Sequence, residues 1–576
     1  MQKPLSLFIP LVLLLLPSQA LAAATDLPTQ ANPGLLIPTH PTPVSKDAST
    51  AMPMEVELEL PTPKKLPVQG EFRLMVRQII VEGNTVLSDD EMRPVLTTYL
   101  GREDSIAELG DMTDKLTKLY AAKGYLTTQV FVPEQEIENG ILRVRVLEGR
   151  IGSVEVEGNR FLRTWALSRQ FELDQRKPLN LNDFTAQMSR VNRFMDITMK
   201  AMVSPGAEPG TTNIRLQVKE RQPWQISGTY DNQGRPFLGY YRYGIGLDNS
   251  NLTGIGDRLS VRGLSTTTGG IKAIATSYAV PLSASGTNLA FSFGYSHVDL
   301  DLGIRNQPPL TGNAYSYSVL LSQPLDRNRI WTLDGGMNIK RITSYFDKDL
   351  TNADQIFSFQ HGLTFDKYDR YGRIIFHTQN TYAPRQLFNS SVSFFKNETS
   401  LIRLQVLPKN NLLIFRGNMQ FTPDALPGAE EIQIGGQSSV RGYTEGLLVG
   451  DRGYNFTLEH RWPIPFLRGV SPWLADRIQG KTFVDYGKVM LDPSNTHYIK
   501  GFSTLKENTT LLSAGVGFQA QFTRFVGGFV DFGFALLNRN GPEPYSMPAS
   551  RIHFGLRTNI LPNNYKIRET AVRKLK

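Results

Sequence analysis

From Pro223 to about Ile560 the chain repeats segments of about ten residues in which polar and apolar side chains alternate, the form a membrane-spanning β-strand takes. In Leu511 to Phe522 the residues Leu512, Ala514, Val516, Phe518, Ala520 and Phe522 alternate with Ser513, Gly515, Gly517, Gln519 and Gln521. In Tyr240 to Asp248, Tyr241, Tyr243, Ile245 and Leu247 are predicted to face lipid, with Arg242, Gly244, Gly246 and Asp248 toward a lumen. A soluble sandwich alternates too. The strands here run long, small and polar residues fill the inward face, and aromatics recur near strand ends as a girdle requires. Strand centres fall near Gln225, Tyr241, Leu259, Ile274, Phe291, Tyr317, Trp331, Phe357, Ile375, Leu401, Ile414, Phe456, Phe483, Val516, Phe529 and Phe554. The prediction is a closed antiparallel barrel of about 16 strands, an even number as bacterial barrels require.

No other route into a membrane is visible. Met1-Gln2-Lys3, an apolar run from Leu7 to Leu16 and Ala20-Leu21-Ala22 read as a secretory signal peptide, residues 1–22. Nothing after it reaches the roughly 20 apolar residues of a spanning helix. Cysteine is absent, so disulfides and thiolate metal sites are excluded. The seven histidines have no ligand spacing, and no metal or cofactor is predicted. The net charge of +9 is interspersed apart from a basic tail, residues 563–576, so no nucleic-acid face is expected.

Residues 23–70 carry Pro28, Pro33, Pro38, Pro41, Pro43, Pro53, Pro61, Pro63 and Pro67, and should form a largely extended linker with at most a short helix. Beyond it the chain repeats itself. Ile79-Ile80-Val81-Glu82-Gly83-Asn84 is answered by Val154-Glu155-Val156-Glu157-Gly158-Asn159, and Leu142 to Glu148 by Ile214 to Glu220. Helical stretches lie between, at Asp89 to Leu100, Ile106 to Ala122, Arg163 to Phe171 and Leu181 to Phe194. Two β-α-α-β-β units are therefore expected, 71–149 and 150–221, ahead of a barrel at 222–562.

The longest interruption of the strand array, 422–452, holds Val440-Arg441-Gly442-Tyr443 in a Gly-rich loop. About forty residues on, Phe483-x-Asp485-x-Gly487 sits on a strand whose alternation points Asp485 inward. An inward carboxylate in a narrow lumen is costly without a partner, and Arg441 is a bidentate candidate. Glu459 on the preceding strand and Asp531 of Phe529-Val530-Asp531-Phe532-Gly533 are alternatives, and each carboxylate could instead pair with a lumenal arginine of a neighbouring strand.

These motifs carry a family resemblance. The tandem units resemble POTRA domains, the first most closely in Tyr120-Ala121-Ala122-Lys123-Gly124-Tyr125, Val132-Pro133-Glu134-Gln135 and Val146-Leu147-Glu148-Gly149-Arg150. Gln437-Ser438-Ser439-Val440-Arg441-Gly442-Tyr443 resembles the signature loop of the TpsB transporters of two-partner secretion, a BamA-related family, and Asp231 to Asp257 resembles its first barrel hairpin. The resemblance covers about residues 72 to 560.

It implies an outer-membrane translocator with periplasmic POTRA units that secretes a large exoprotein without ATP: an adhesin, haemolysin, haem-binding protein or contact-dependent toxin. It also implies that the loop folds into the barrel, its Arg441 meeting Asp485. Outer-membrane lipid is the surrounding medium, and a monomer is expected to suffice. A barrel insertase is the alternative, disfavoured by only two POTRA-like units; a passive porin or adhesin is remoter, having no use for such repeats. No enzyme is expected: a nucleophile elbow is missing, Gly294-Tyr295-Ser296-His297-Val298 lacking the closing glycine, and there is no nucleotide-binding loop.

Overall fold

The computed structural model describes residues 56–58, residues 73–559 apart from several short stretches and 301–309, 491–507 and 538–548, and residues 573–574. The expected signal peptide and most of the linker and tail lie outside the described residues.

Sixteen antiparallel strands, Trp224–Asp231 the first and Ser550–Asn559 the sixteenth, close into a barrel. Fifteen of the sixteen predicted centres fall inside successive strands, and Tyr241 lies one residue before the second, Arg242–Asn249. The alternation is as expected: Tyr243, Ile245, Val516 and Phe518 are exposed on the lipid side, while Ser513, Asp531 and His553 are buried on the other. The barrel is sealed by the first and last strands, which share the five register pairs from Ser227–Asn559 to Asp231–Gly555. The sixth and seventh strands, Leu310–Pro324 and Trp331–Phe346, share fifteen.

The two units ahead of the barrel repeat each other in topology. In the first, Gln78–Glu82 lies parallel to Ile141–Leu147, which also pairs antiparallel with Gln129–Phe131. In the second, Arg150–Glu157 lies parallel to Thr211–Glu220, which pairs antiparallel with Ile197–Pro205. The predicted helices appear at Asp89–Leu96, Ile106–Ala122, Thr164–Ser168 and Leu181–Phe194. The first ends early because the chain tightens into a 3₁₀ turn, Thr97–Tyr99. Each helix pair covers one sheet face. Met112, Leu116 and Tyr120 pack on Leu142 and Val144 in one unit, and Phe184 and Met188 on Met199 and Leu216 in the other. Each such side chain contributes about 1.5–3 kcal/mol by leaving water.

The repeated Gly-Asn turns are built alike. Gly83 and Gly158 both have φ of 85°, and a Cβ at either would meet the carbonyl oxygen of Val146 or Val218 at 2.4 or 2.3 Å, so only glycine fits. The carboxylate of Glu148 accepts from the amides of Thr85 (2.7 Å) and Val86 (3.0 Å). Glu220 accepts from Arg160, Phe161 and Leu162 at 2.6–2.7 Å. The sequence repeat is thus a repeated clamp of a glutamate on a turn.

Short backbone bonds fix the order of the parts. Leu179 and Leu181 donate to the carbonyls of Gly149 and Gly124, tying unit to unit, and Arg163 donates to Gly254 in the first turn on the POTRA side of the barrel (2.8 Å). The second unit's sheet is longer than expected. Val56–Leu58 adds in parallel to Ala201–Val203 on one edge, and Arg573–Lys574 pairs with Val156 and Glu155 on the other.

Candidate functional site

The connection between the eleventh strand, Asn411–Phe421, and the twelfth, Arg452–Pro463, turns inward and carries its own hairpin, Ile432–Ile434 paired with Leu448–Gly450. Between these short strands the tip folds on itself. The amide of Gly435 donates to Ser439 Oγ (2.8 Å), that of Gly436 to the Val440 carbonyl (2.9 Å), and that of Gln437 to Glu445 Oε1 (2.5 Å). Gly435, Gly436 and Gly442 have φ of 110°, 92° and 89°, which L side chains rarely adopt. The tip is therefore a pre-shaped wedge, and it seats Val440 and Tyr443 at 0 % exposure among Ile434, Leu448, Val489, Leu511 and Ala535.

Each residue of Val440-Arg441-Gly442-Tyr443 has its own receptor on the wall. Arg441 is the centre. Its Nε donates to Asp485 Oδ2 at 2.8 Å and Nη2 to Asp485 Oδ1 at 2.9 Å, a bidentate fork, and its backbone amide adds a third bond to Oδ2 at 3.1 Å. Nη1 donates to Glu459 Oε2 at 2.7 Å and reaches Asp531 Oδ2 at 3.4 Å. The guanidinium lies 3.4 Å from the centroid of the Phe483 ring. All three predicted carboxylates thus converge on one arginine, with Asp485 holding most of it.

The glycines of both motifs explain how the loop comes so close. A Cβ on Gly487 would meet Val440 Cγ2 at 2.9 Å, and one on Gly533 would meet the Gly442 nitrogen at 2.4 Å. Phe483-x-Asp485-x-Gly487 is therefore a socket whose ring stacks on Arg441, whose carboxylate grips it and whose glycine leaves room for Val440. The Gly442 amide donates to His553 Nε2 (3.0 Å), and the Tyr443 hydroxyl donates to the Leu512 carbonyl (2.9 Å) and contacts that of Leu537.

The charges balance locally. Asp531 is held mainly by Lys481, at 2.7 Å to Oδ1, and Arg461 Nε lies 2.6 Å from Glu459 Oε1. Three carboxylates thus face Arg441, Lys481 and Arg461, which is the condition for burying them. The pairing left open from sequence, with an arginine of a neighbouring strand, is met for Glu459 by Arg416 of the eleventh strand at 3.9 Å, whereas Arg461 lies on Glu459's own strand and Asp531 is held by a lysine two strands away. Lys481 and His553 lie outside the sequence-predicted set, although Lys481 shares the inward parity of Asp485 on the thirteenth strand and His553 faces inward on the sixteenth, opposite Asp531.

A second cluster holds the base of the loop and has no sequence signal. Glu430 accepts from Lys340 Nζ at 2.6 Å through one oxygen and from Lys396 Nζ at 2.8 Å through the other, all three buried. Lys340 is on the seventh strand and Lys396 on the tenth, Phe394–Leu407. Gln420 Nε2 donates to the carbonyls of Glu430 and Asp451 at 3.0 Å, fastening the two legs of the loop to each other. No group of side chains with metal-ligand geometry occurs among the described residues.

A 16-strand barrel with a loop locked in its lumen and two POTRA-like units at one end defines an outer-membrane protein transporter. Residues 210–519 match the family model described as haemolysin secretion/activation protein ShlB/FhaC/HecB, and residues 74–149 match the POTRA domain, ShlB-type. The chain belongs to that family, the transporters of two-partner secretion.

It is 22% identical over 446 residues to the heme/hemopexin transporter protein HuxB of Haemophilus influenzae, covering 72% of this chain and 76% of the relative. It is 26% identical to the outer membrane transporter CdiB of Escherichia coli (68% and 69% covered) and 26% to the hemolysin transporter protein ShlB of Serratia marcescens (68% and 73%). Among solved structures, CdiB from Escherichia coli superposes with a TM-score of 0.64 at 22% identity, covering 87% of this chain and 93% of that one. BamA from Haemophilus ducreyi gives 0.54 at 17% identity, covering 85% and 100%. The POTRA units lie in the periplasm. Strand parity then puts the Arg441 loop on a connection that starts at the outer surface.

Proposed function

We propose that this transporter takes an exoprotein of the adhesin, haemolysin, haem-binding or contact-dependent-toxin kind, and that the Arg441 loop is its gate. The observation that carries the gate is the fork of Arg441 on Asp485, closed by Glu459 and Asp531, in the lumen the exoprotein must cross. The partner docks in extended form by strand addition, where main-chain hydrogen bonds give affinity with little demand on sequence. Both edges of the second unit's sheet carry strands of this chain, so the edges of the first, Gln78–Glu82 and Gln129–Phe131, are the ones it uses. The chain then threads the lumen as the loop yields, and folding outside supplies direction without a nucleotide or any catalytic step. One chain closes the pore, so a monomer suffices. The working division is 1–22 signal peptide, 23–70 linker, 71–149 and 150–221 POTRA units, 222–562 barrel and 563–576 tail.

The test is a paired charge reversal. Arg441→Asp alone should abolish secretion while the barrel still assembles, and adding Asp485→Arg should restore part of it. Rescue by Asp531→Arg in place of Asp485→Arg would transfer the lock to the fifteenth strand, and full secretion by the single variant would remove it.

A further inference from the structure

The connection between the twelfth and thirteenth strands, on the periplasmic side, is unlike the other turns there. Residues 283–287, 326–330 and 408–410 are short and largely polar, whereas 464–477 reads Ile-Pro-Phe-Leu-Arg-Gly-Val-Ser-Pro-Trp-Leu-Ala-Asp-Arg. It forms two single helical turns, Leu467–Val470 and Pro472–Ala475, the second capped by Ser471 and begun by Pro472. Ile464 and Ala475 are buried beneath, while Phe466 is 73% exposed, Val470 75% and Trp473 48%. Three large apolar side chains are displayed on one short element with no protein over them among the described residues.

Their surroundings say what covers them. The turns lean over the outer wall of the barrel at the periplasmic ends of the fourteenth, fifteenth and sixteenth strands, where Phe518, Phe522, Val530 and Leu556 are exposed toward lipid. The apolar belt therefore continues without a break from the wall onto the hairpin. Between the two runs a groove of about 490 Å³, lined by Ile464, Phe466, Leu467, Phe518, Phe522 and Leu556 among others. The small outward residues Ala520 and Gly528 leave it its depth. Polar groups sit at the rim: Arg477 donates through Nε to the Phe522 carbonyl (3.1 Å) and through Nη1 to the Trp473 carbonyl (3.1 Å), and Arg468 is exposed. An apolar face with an indole and two arginines at its border is the composition of an element lying in the plane of a membrane interface.

We infer that residues 464–477 are a monotopic anchor seated in the periplasmic leaflet of the outer membrane, and that the groove beneath them holds one acyl chain of a phospholipid from that leaflet. The hairpin joins the strands that carry Glu459 and Asp485, so the anchor ties the receptor of Arg441 to the bilayer surface.

The absence of cysteine allows a direct test. A bimane label on Val470→Cys is compared with one on Ser285→Cys, in a polar periplasmic turn, in the full-length protein in nanodiscs of phosphatidylethanolamine and phosphatidylglycerol. Heat-modifiable mobility confirms that each variant is folded. The label at 470 should be quenched several-fold more by doxyl groups near the top of the acyl chains than by aqueous iodide, with the reverse at 285. Quenching by iodide as strong as at 285 overturns the anchor by placing the hairpin in water, and quenching by neither overturns it by placing it under protein. For the groove, native mass spectrometry should find phospholipid retained by the wild type and lost from Ala520→Trp; equal retention refutes the acyl-chain site and leaves the anchor to stand on the quenching.

Discussion

Replacing Arg441 by alanine removes the hub of the lumenal lock while leaving every strand pair intact. Asp485 then keeps the backbone amide at 3.1 Å but loses both guanidinium bonds, and Glu459 loses its 2.7 Å partner and keeps Arg461. Asp485 and Glu459 are 0 % and 1 % exposed, so this is the case of a buried pair deprived of one member, about 3–5 kcal/mol. Spent on the docked loop alone, that shifts the docked-to-undocked ratio by roughly two to three and a half powers of ten, since 1.4 kcal/mol is tenfold. A loop docked all but about one part in ten thousand would become undocked for a measurable fraction of the time. Planar-bilayer recording should show longer and larger openings, outer-membrane exclusion of bulky antibiotics should weaken, and secretion should fall while heat-modifiable mobility stays normal. Arg441→Lys should fall between, because an ammonium keeps the charge but not the fork or the flat contact with Phe483. Wild-type conductance and secretion from Arg441→Ala would refute the reasoning, leaving the loop held elsewhere.

Glu430→Gln leaves Lys340 and Lys396 facing each other without their shared carboxylate; loop protection from hydrogen exchange should drop, and adding Lys340→Met should restore much of it. Gly533→Ala puts a methyl 2.4 Å from the Gly442 nitrogen, so it should reproduce the conductance of Arg441→Ala without touching a charge. Glu148→Gln weakens two charge-assisted bonds to the Thr85 turn and should destabilise the first periplasmic unit by about 1–3 kcal/mol in chemical denaturation, with the barrel unaffected. In the same unit, the Lys123 ammonium and the Ser88 cap hold the Glu91 carboxyl down at about 2. A depressed folded pKa stabilises above the unfolded value and is lost as pH falls, so exchange protection of Asp89–Leu96 should be flat from neutral pH to about 5 and decline from about 4.5 toward 2, a decline that Lys123→Met should flatten.

The barrel was legible because a wall with lipid on one side and water on the other imposes a period of two on every strand, whatever the neighbours. The same parity put Asp485, Glu459 and Asp531 inward, and the cost of a lone lumenal carboxylate called for a partner, but it was the resemblance of the loop to the TpsB signature that singled out Arg441 for Asp485. Parity also marked Lys481 and His553, but without closure nothing said that strands thirteen, fifteen and sixteen would meet at one loop. Glu430 lay beyond reach for a further reason. Its lysines sit on the seventh and tenth strands, far from it in sequence, so no local pattern encodes the contact. The paired strand Val56–Leu58 was hidden by the flanking prolines, which exclude a helix and leave open whether extended chain docks on an edge.

The loop grips separate sectors of the wall, Lys340 and Lys396 on strands seven and ten through Glu430, and the twelfth, thirteenth and fifteenth strands through Arg441. Mechanically it is a tie across a hoop. Both ends brace the circumference, and under the gating proposed above the release of Arg441 would empty and soften the tube in the same event. Under the same proposal, bore width during export would be set by the passing chain, and the stiffness of the barrel would become a readout of whether cargo is inside.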